Sequence, residues 1–354
     1  MFNKQIAKMK FTLTTRCQMD CGYCFVRKTD ERMRAEVARK GIDFLIRSPG
    51  VSKLLALYGG DPFLEFPLVK EMTLYARELA QSTGKKCTIS ICTNLTVLTE
   101  EQIDFIKKHD IKITVSLAGP EKIHDKYRYF LKGAGTYKKV IHNFRRLADC
   151  VPKQNLIISY VVLPSTSHMI FDDFVSLLNL GLGSNFNLEI IQDFEEWTEN
   201  AQVNFVEQFD KIIDLVLKEM DKNNFIFIKY VTRELIFKGE DRRLSQMCPL
   251  FYQTELYPSG EMAFSPFLLN RKDKDRFLIG NLEEGIHERY QHCRFNQDKP
   301  QCRHCLTDYF RPLEQDNRVG LVQEYYALRS QKAARFIQRN NKAYVEYCQK
   351  HLAD

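Results

Sequence analysis

The chain has 354 residues, 44% of them hydrophobic, and its 52 Lys and Arg outnumber 45 Asp and Glu for a net charge of +7. This is the composition of an ordinary globular protein, long enough for a full catalytic domain and an extension. No apolar run approaches membrane-spanning length, and an odd total of 11 cysteines without a signal peptide does not make a secreted disulfide framework.

The first strand-like segment, at about 9–15, runs into Thr15-Arg16-Cys17-Gln18-Met19-Asp20-Cys21-Gly22-Tyr23-Cys24-Phe25. Three thiolates at this spacing can grip one iron–sulfur cluster. A cubane has four irons, so one is left open to hold and reduce a small molecule. A structural zinc site is the competing reading, but it wants four ligands, usually in two separated pairs, and no fourth Cys or His lies nearby. Strand-like segments follow at about 53–58, 86–93, 111–117, 155–163 and 185–192. Helical ones alternate with them at about 30–47, 66–82, 99–109, 136–149, 168–181 and 200–223. The helix over 136–149 shows the pattern, with Tyr137, Val140, Ile141, Phe144 and Leu147 on one face. Six β/α units predict an α/β fold with a parallel sheet and right-handed crossovers.

In this order the chain resembles the radical S-adenosylmethionine (SAM) enzymes. The CxxxCxxC run has an aromatic residue before its last cysteine and a strand before it. Gly59-Gly60-Asp61-Pro62 is similar to the family's Gly-Gly-Glu-Pro motif, with Asp61 for the usual Glu, and paired glycines let backbone approach a ligand closely. Ile89-Ser90-Ile91-Cys92-Thr93-Asn94 and Leu98-Thr99-Glu100-Glu101 resemble the third strand and helix start of the subgroup that carries a SPASM or twitch extension. Val115-Ser116-Leu117-Ala118-Gly119-Pro120-Glu121-Lys122-Ile123-His124-Asp125-Lys126-Tyr127-Arg128 resembles that subgroup's Ser-Leu-Asp-Gly-Pro…His-Asp…Arg segment.

The resemblance implies a partial (β/α)6 TIM-type barrel over residues 1–235, with ligands at the C-terminal strand ends. It implies a [4Fe–4S] cluster on Cys17, Cys21 and Cys24, with SAM on the open iron. Ser116 would then meet the SAM ribose, Arg128 its carboxylate and the Tyr23 backbone its adenine, with Gly59, Gly60, Asp61 and Asn94 around the cofactor. A guanidinium forks onto a carboxylate in bidentate geometry; the competing reading of Arg128 is a solvated helix residue in a basic stretch. Ala118, where many relatives have Asp, and Tyr58, where a glutamine is common, are expected near strand ends facing the barrel interior, where they mark a substrate pocket or carry no role. Cys92 shares the parity of Asn94, so it is either a hydrogen-atom donor to a substrate radical or a buried hydrophobe. Cys87, Cys150 and Cys348 carry less information.

Beyond about residue 235 the regular alternation stops and Cys248, Cys293, Cys302 and Cys305 appear. Leu256-Tyr257-Pro258-Ser259-Gly260-Glu261-Met262 reads as a hairpin turning at Pro258-Ser259-Gly260. This order resembles the twitch or SPASM extension, here over residues 236–311, and implies one auxiliary [4Fe–4S] cluster on those four cysteines. Zinc competes there, because four thiolates including a CxxC pair also make a structural zinc site. Residues 312–354 form a helical tail whose basic and aromatic stretch, Arg329 to Lys350, suits an acidic leader peptide or an acidic electron donor of the flavodoxin or ferredoxin type. A solvated helix closing the C-terminal domain is the competing reading.

Enzymes with this extension mostly modify ribosomally made peptides by crosslinking, epimerisation or similar chemistry, so a precursor peptide is the first expected substrate. A small molecule is the second. The chain begins almost at its first strand, which leaves no room for an N-terminal peptide-recognition domain. A noncatalytic zinc or cluster protein is the reading from another class, and intact SAM motifs argue against it. Oxygen-labile clusters imply a reducing cytoplasm, with no nucleic acid or membrane as partner.

Overall fold

The computed structural model describes residues 6–191, 194–236, 253–263, 274–287 and 317–352. In chain order the elements begin β1 (Lys8–Thr14), α1 (Ala35–Arg47), β2 (Ser52–Gly59), α2 (Phe66–Ser82), β3 (Lys86–Thr93), α3 (Glu100–Lys108) and β4 (Lys112–Ser116). There follow α4 (Glu121–Tyr127), α5 (Tyr137–Cys150), β5 (Leu156–Val162), α6 (Ile170–Leu178), β6 (Asn185–Ile190), α7 (Glu199–Met220), β7 (Phe227–Ile228) and α8 (Lys229–Ile236). The last are β8 (Gln253–Leu256), β9 (Glu261–Ala263), β10 (Leu278–Asn281), β11 (Gly285–Ile286), α9 (Asn317–Asn340) and α10 (Lys342–His351). They divide into two compact units, one of residues 1–114 and 243–302, the other of 115–242 and 303–353.

In the first unit β1, β2 and β3 are parallel neighbours, with Phe11 beside Leu57 and Leu57 beside Ile91. Register partners on parallel strands share a face. Met9, Phe11, Leu13, Leu55, Leu57, Ile89 and Ile91 are therefore one fully buried face. It is the face that meets α1, because a Cβ at Gly41 would stand 2.7 Å from the Phe11 ring and 2.4 Å from the Leu256 side chain. The opposite face carries Lys8, Lys10, Thr12, Ala56, Tyr58, Ser90 and Cys92. Apolar residues alternating with polar or half-buried ones explain why these segments are strands.

The expected hairpin at 256–262 is present, closed by the Gly260 amide donating to the Tyr257 carbonyl at 2.9 Å. Its first strand, β8, lies parallel to β1, with Phe11 beside Leu256, and β9, β10 and β11 follow in antiparallel order. The first helix begins at Ala35 rather than near residue 30. The intervening chain runs extended beside the end of β1, where Thr15 donates to the Glu31 carbonyl at 3.0 Å and Met33 to that of Leu13 at 2.7 Å.

In the second unit β5, β6 and β7 are parallel neighbours, and the Leu117 amide donates to Ser159 of β5 at 2.9 Å. The expected face of α5 is buried at Val140, Ile141, Phe144 and Leu147. Helix α9 holds to α7 through Arg329, whose guanidinium reaches Asp210 at 2.5 Å and Asp214 at 3.1 Å, so that cation of the basic tail is neutralised within the fold. On α10 the Tyr344 hydroxyl donates to the Ile226 carbonyl at 2.6 Å. No helix among the described residues is long and apolar enough to cross a membrane.

Candidate active site

The loop after β1 is held by the loop after β2. The Gly60 amide donates to the Thr14 carbonyl at 2.7 Å and the Asp61 amide to that of Arg16 at 2.9 Å. This approach needs glycine twice. A Cβ at Gly59, whose φ is +134°, would stand 2.3 Å from the Thr14 carbonyl oxygen, and one at Gly60 would stand 2.0 Å from that of Arg16. The close approach permitted by the paired glycines is thus to the backbone that leads into Cys17. Arg16 adds ion pairs to Asp30 at 3.0 Å and Glu65 at 3.3 Å.

Asp61 is fully buried and gathers three elements. Its Oδ1 accepts from the Thr93 hydroxyl at 2.9 Å and the Phe63 amide at 3.2 Å; its Oδ2 accepts from Gln18 Nε2 at 3.0 Å. Gln18 also reaches Asn94 Oδ1 at 3.1 Å and Thr96 Oγ1 at 2.5 Å. Asn94 turns its own Nδ2 to the Cys17 sulfur at 3.5 Å. The ends of β1, β2 and β3 therefore meet at Cys17. Among the sequence-derived candidates the structure joins Asn94 to Cys17 directly, Asp61 to Asn94 through Gln18, and Gly59, Gly60 and Asp61 to the backbone just before Cys17. Gln18, Thr93 and Thr96 belong to the same network and were not singled out from sequence, because a glutamine between two cysteines carries no motif of its own.

The three loop cysteines form no disulfide. Cys21 and Cys24 are joined by a backbone turn, with the Cys24 amide donating to the Cys21 carbonyl at 3.1 Å. Burial is the main force that pushes the Cys17 thiol up to about 11; a backbone hydrogen bond at Met19 opposes it, and the charges of Asp61, Cys21 and Cys24 add to it. Such a thiol ligates when iron displaces its proton. Among the described residues no three His, Cys, Asp or Glu groups converge as ligands of a single ion. Three thiols carried by one loop are soft donors, the kind that an iron–sulfur cluster takes. Tyr23 is half-buried within the same loop, and Cys92 is half-buried on the face opposite α1.

Ser116 and Arg128 belong to the second unit, where a relay fixes the chain that carries them. The Ala118 amide donates to His124 Nδ1 at 3.3 Å, so the ring proton is on Nε2, which faces Thr136 Oγ1 at 3.0 Å; that hydroxyl in turn donates to the Arg128 carbonyl at 2.8 Å. Asp125 Oδ1 caps the start of α5 by accepting from Thr136 and Tyr137, each at 2.8 Å. The His-Asp pair of the motif is thereby a brace for the segment from Ser116 to Arg128.

Burial, with Arg128 adding, drives the pKa of His124 from 6.5 down to about 2. The unfolded chain binds this proton below pH 6.5 and the native state does not, so stability is lost as pH falls from there. At about 1.4 kcal/mol per unit, this group removes roughly 2 kcal/mol by pH 5. Urea unfolding at pH 7 and pH 5 is expected to show that loss in the wild type and its absence in His124→Gln. An equal pH effect in both proteins would overturn the assignment.

Cys248, Cys293, Cys302 and Cys305 lie outside the described residues.

Residues 11–178 match the model of the Radical SAM superfamily. A serine-type anaerobic sulfatase-maturating enzyme of Bacteroides thetaiotaomicron is 25% identical over 215 residues, 58% of this chain and 46% of that one. The chain spans less than half the length of the first two curated relatives that it matches, 41% and 46%. Among solved structures, anSMEcpe with bound AdoMet superposes with a TM-score of 0.72 at 16% identity, over 98% of this chain and 99% of that one. Streptococcus suis SuiB bound to precursor peptide SuiA gives 0.58 at 13% identity, over 89% and 67%. At these identities the likeness shows a shared fold, the radical SAM fold.

Proposed function

Since residues 11–178 form a radical SAM domain, we propose that this chain reductively cleaves SAM and uses the radical to take a hydrogen from a ribosomally made peptide, which it thereby modifies. The observation that carries the SAM half is the convergence of three strand ends on Cys17. A maturase among the relatives and a precursor peptide in a fold neighbour support the peptide half.

Cys17, Cys21 and Cys24 would hold three irons of a [4Fe–4S] cluster. When bound, that cluster supplies the electron that cleaves SAM to methionine and the 5′-deoxyadenosyl radical. The Asn94 amide, donating to the Cys17 sulfur, draws charge from that ligand and orients it. Gly59, Gly60 and Asp61 keep the loop in place and, with Tyr23 and Asn94, would border the cofactor. Arg128 would fork onto the SAM carboxylate and Ser116 would meet the ribose. Cys248, Cys293, Cys302 and Cys305 would hold one auxiliary [4Fe–4S] cluster in a twitch-like segment over 236–311. A flavodoxin or ferredoxin-type protein would deliver the electron. Cys92, half-buried on the face of β3 turned away from α1, would be the hydrogen-atom donor.

Anaerobic reconstitution followed by SAM and dithionite tests the reading. About eight irons per chain and formation of 5′-deoxyadenosine are expected. Cys17→Ser should abolish the deoxyadenosine, and its persistence would remove the site assignment. Cys302→Ser should lower iron by one cluster while sparing uncoupled SAM cleavage; unchanged iron would sink the auxiliary cluster. A mass change in a short peptide encoded beside the gene supports the substrate class, and deoxyadenosine without one transfers the reading to small molecules.

A further inference from the structure

Residues 121–146, which span α4, the turn after it and most of α5, carry eight Lys and Arg against two acids, Glu121 and Asp125. That is a net of +6, beside +7 for the whole chain. Glu121 pairs with Lys138 at 3.3 Å, and Asp125 caps α5. Both acids are thus engaged within the fold, and most of the cations are not. Lys122, Lys132, Lys139 and Arg145 are exposed, with no carboxylate within ion-pair distance among the described residues. Lys126 is exposed as well, its ammonium standing over the Tyr127 ring, 4.8 Å from the centroid.

A tight turn between the two helices fixes where these charges stand. Tyr129 bridges Gly135, the Phe130 amide donates to the Ala134 carbonyl at 2.8 Å, and the Gly133 amide donates to that of Phe130 at 2.7 Å. Leu131 and Lys132 form its tip, where the Leu131 side chain is 60% exposed. Lys122 and Lys126 are one turn apart on α4 and therefore share a side of it. Helix α4 begins just beyond the end of β4, and Asp125 ties it to the start of α5. Helix α4, the tip and the first turn of α5 thus lie at the C-terminal end of that strand, the end at which such folds gather their ligands. The tail is the other basic stretch, but there Asp210 and Asp214 neutralise Arg329, and Glu346 pairs with Lys342.

We propose that the face running from Lys122 over the Leu131 tip to Lys139 is a docking surface for an acidic stretch of the substrate peptide. The lysines meet its carboxylates, and Leu131 takes an apolar side chain between them. A concentrated positive field steers an acidic chain to the surface and sets the sign of what it accepts. The turn is already ordered by its own hydrogen bonds, so binding does not have to order it. This inference rests on the peptide reading above and deepens it, because it assigns the peptide a charge. An acidic electron donor fits the surface less well, since it must approach the loop of Cys17, which belongs to the other compact unit. The step is binding alone.

The test is a fluorescence-anisotropy titration of the anaerobically reconstituted full chain with two labelled synthetic peptides, repeats of Gly-Glu-Glu-Leu and of Gly-Gln-Gln-Leu. The acidic peptide is expected to bind about tenfold more tightly, as a few exposed ion pairs supply, and added salt should erase the difference. Lys122→Gln, Lys132→Gln and Lys139→Gln combined should bring the ratio near one while iron content is unchanged. The control is Lys332→Gln, Arg335→Gln and Arg339→Gln, which removes the same charge from α9 and should leave the ratio as it is. A ratio near one in the wild type, a ratio that survives the first triple change, or an equal loss in the control overturns the proposal. So does tighter binding of an oligothymidylate or of phosphatidylserine vesicles through the same three lysines, which would give the surface to a nucleic acid or a membrane. Mass spectrometry of a short peptide encoded beside the gene, incubated with the same sample, SAM and dithionite, keeps the two readings apart. A mass change without acidic preference sinks this surface alone, and acidic preference without any mass change sinks the peptide reading alone.

Discussion

Gly60→Ala is expected to abolish SAM cleavage and empty the first cluster site about as completely as loss of a cysteine ligand. The added Cβ would stand 2.0 Å from the Arg16 carbonyl oxygen, whereas ordinary contact begins near 3.4 Å, so one backbone must yield by more than 1 Å. Neither is free to yield. The Asp61 amide is bonded to that same carbonyl and the Gly60 amide to Thr14, so displacement breaks the pairing that carries the chain into Cys17. Misplacement of about 1 Å near reacting groups costs on the order of 10²-fold in rate, before any loss of cluster. Iron and sulfide counts with deoxyadenosine formation are the readout. Gly84→Ala is the control, because Gly84 has a positive φ, +66°, but no atom within 4 Å of its Cβ position. It should cost about 1 kcal/mol in stability and leave iron intact. Normal iron in Gly60→Ala would mean that the loop is not held through this contact.

What the sequence revealed follows from how local each feature is. The three cysteines and the paired glycines are close in the chain, and their chemistry is written in residue type and spacing. Strand positions were legible because buried residues alternate at Met9, Phe11 and Leu13 and match their neighbours at Leu55 and Leu57. The pairing of β8 with β1 was not legible. Thr12 and Glu255 meet across 243 residues of chain, and no local pattern specifies which edge of a sheet a late strand will join. The start of α1 was misplaced for a related reason. Residues 31–33 are drawn into extended bonds with Leu13 and Thr15, so tertiary pairing overrides helix propensity there. His124 and Asp125 lay within the quoted motif, yet their partners Ala118, Thr136 and Tyr137 appear only once α4 and α5 are folded together.

Asp61→Ala should fail differently from Gly60→Ala, and the difference identifies what the aspartate does. The substitution leaves the Gly60–Thr14 backbone bond in place but removes the acceptor for the Thr93 hydroxyl, the Phe63 amide and Gln18 Nε2, all at a fully buried position. Hydrogen bonds to a charged group contribute about 1.5–3 kcal/mol each, though three at one atom pair are not additive. A loss on the order of 3 kcal/mol or more is therefore expected, seen as a lower urea midpoint at unchanged slope. The loop should still bind iron, while Gln18 and through it Asn94 lose their orientation at Cys17, so deoxyadenosine formation should fall more than iron content. Asp61→Asn separates the two oxygens. Oδ1 keeps Thr93 and Phe63, so most of the stability should remain, whereas the new amide nitrogen confronts the Gln18 donor and should reproduce much of the loss in cleavage. Asp61→Glu, although it matches the family's usual residue, adds a methylene at a fully buried position, and is expected to destabilise by about 1–3 kcal/mol. If Asp61→Asn instead unfolds as readily as Asp61→Ala, the bond to Gln18 is the structural one. If it cleaves SAM normally, Gln18 does not align Asn94 for Cys17.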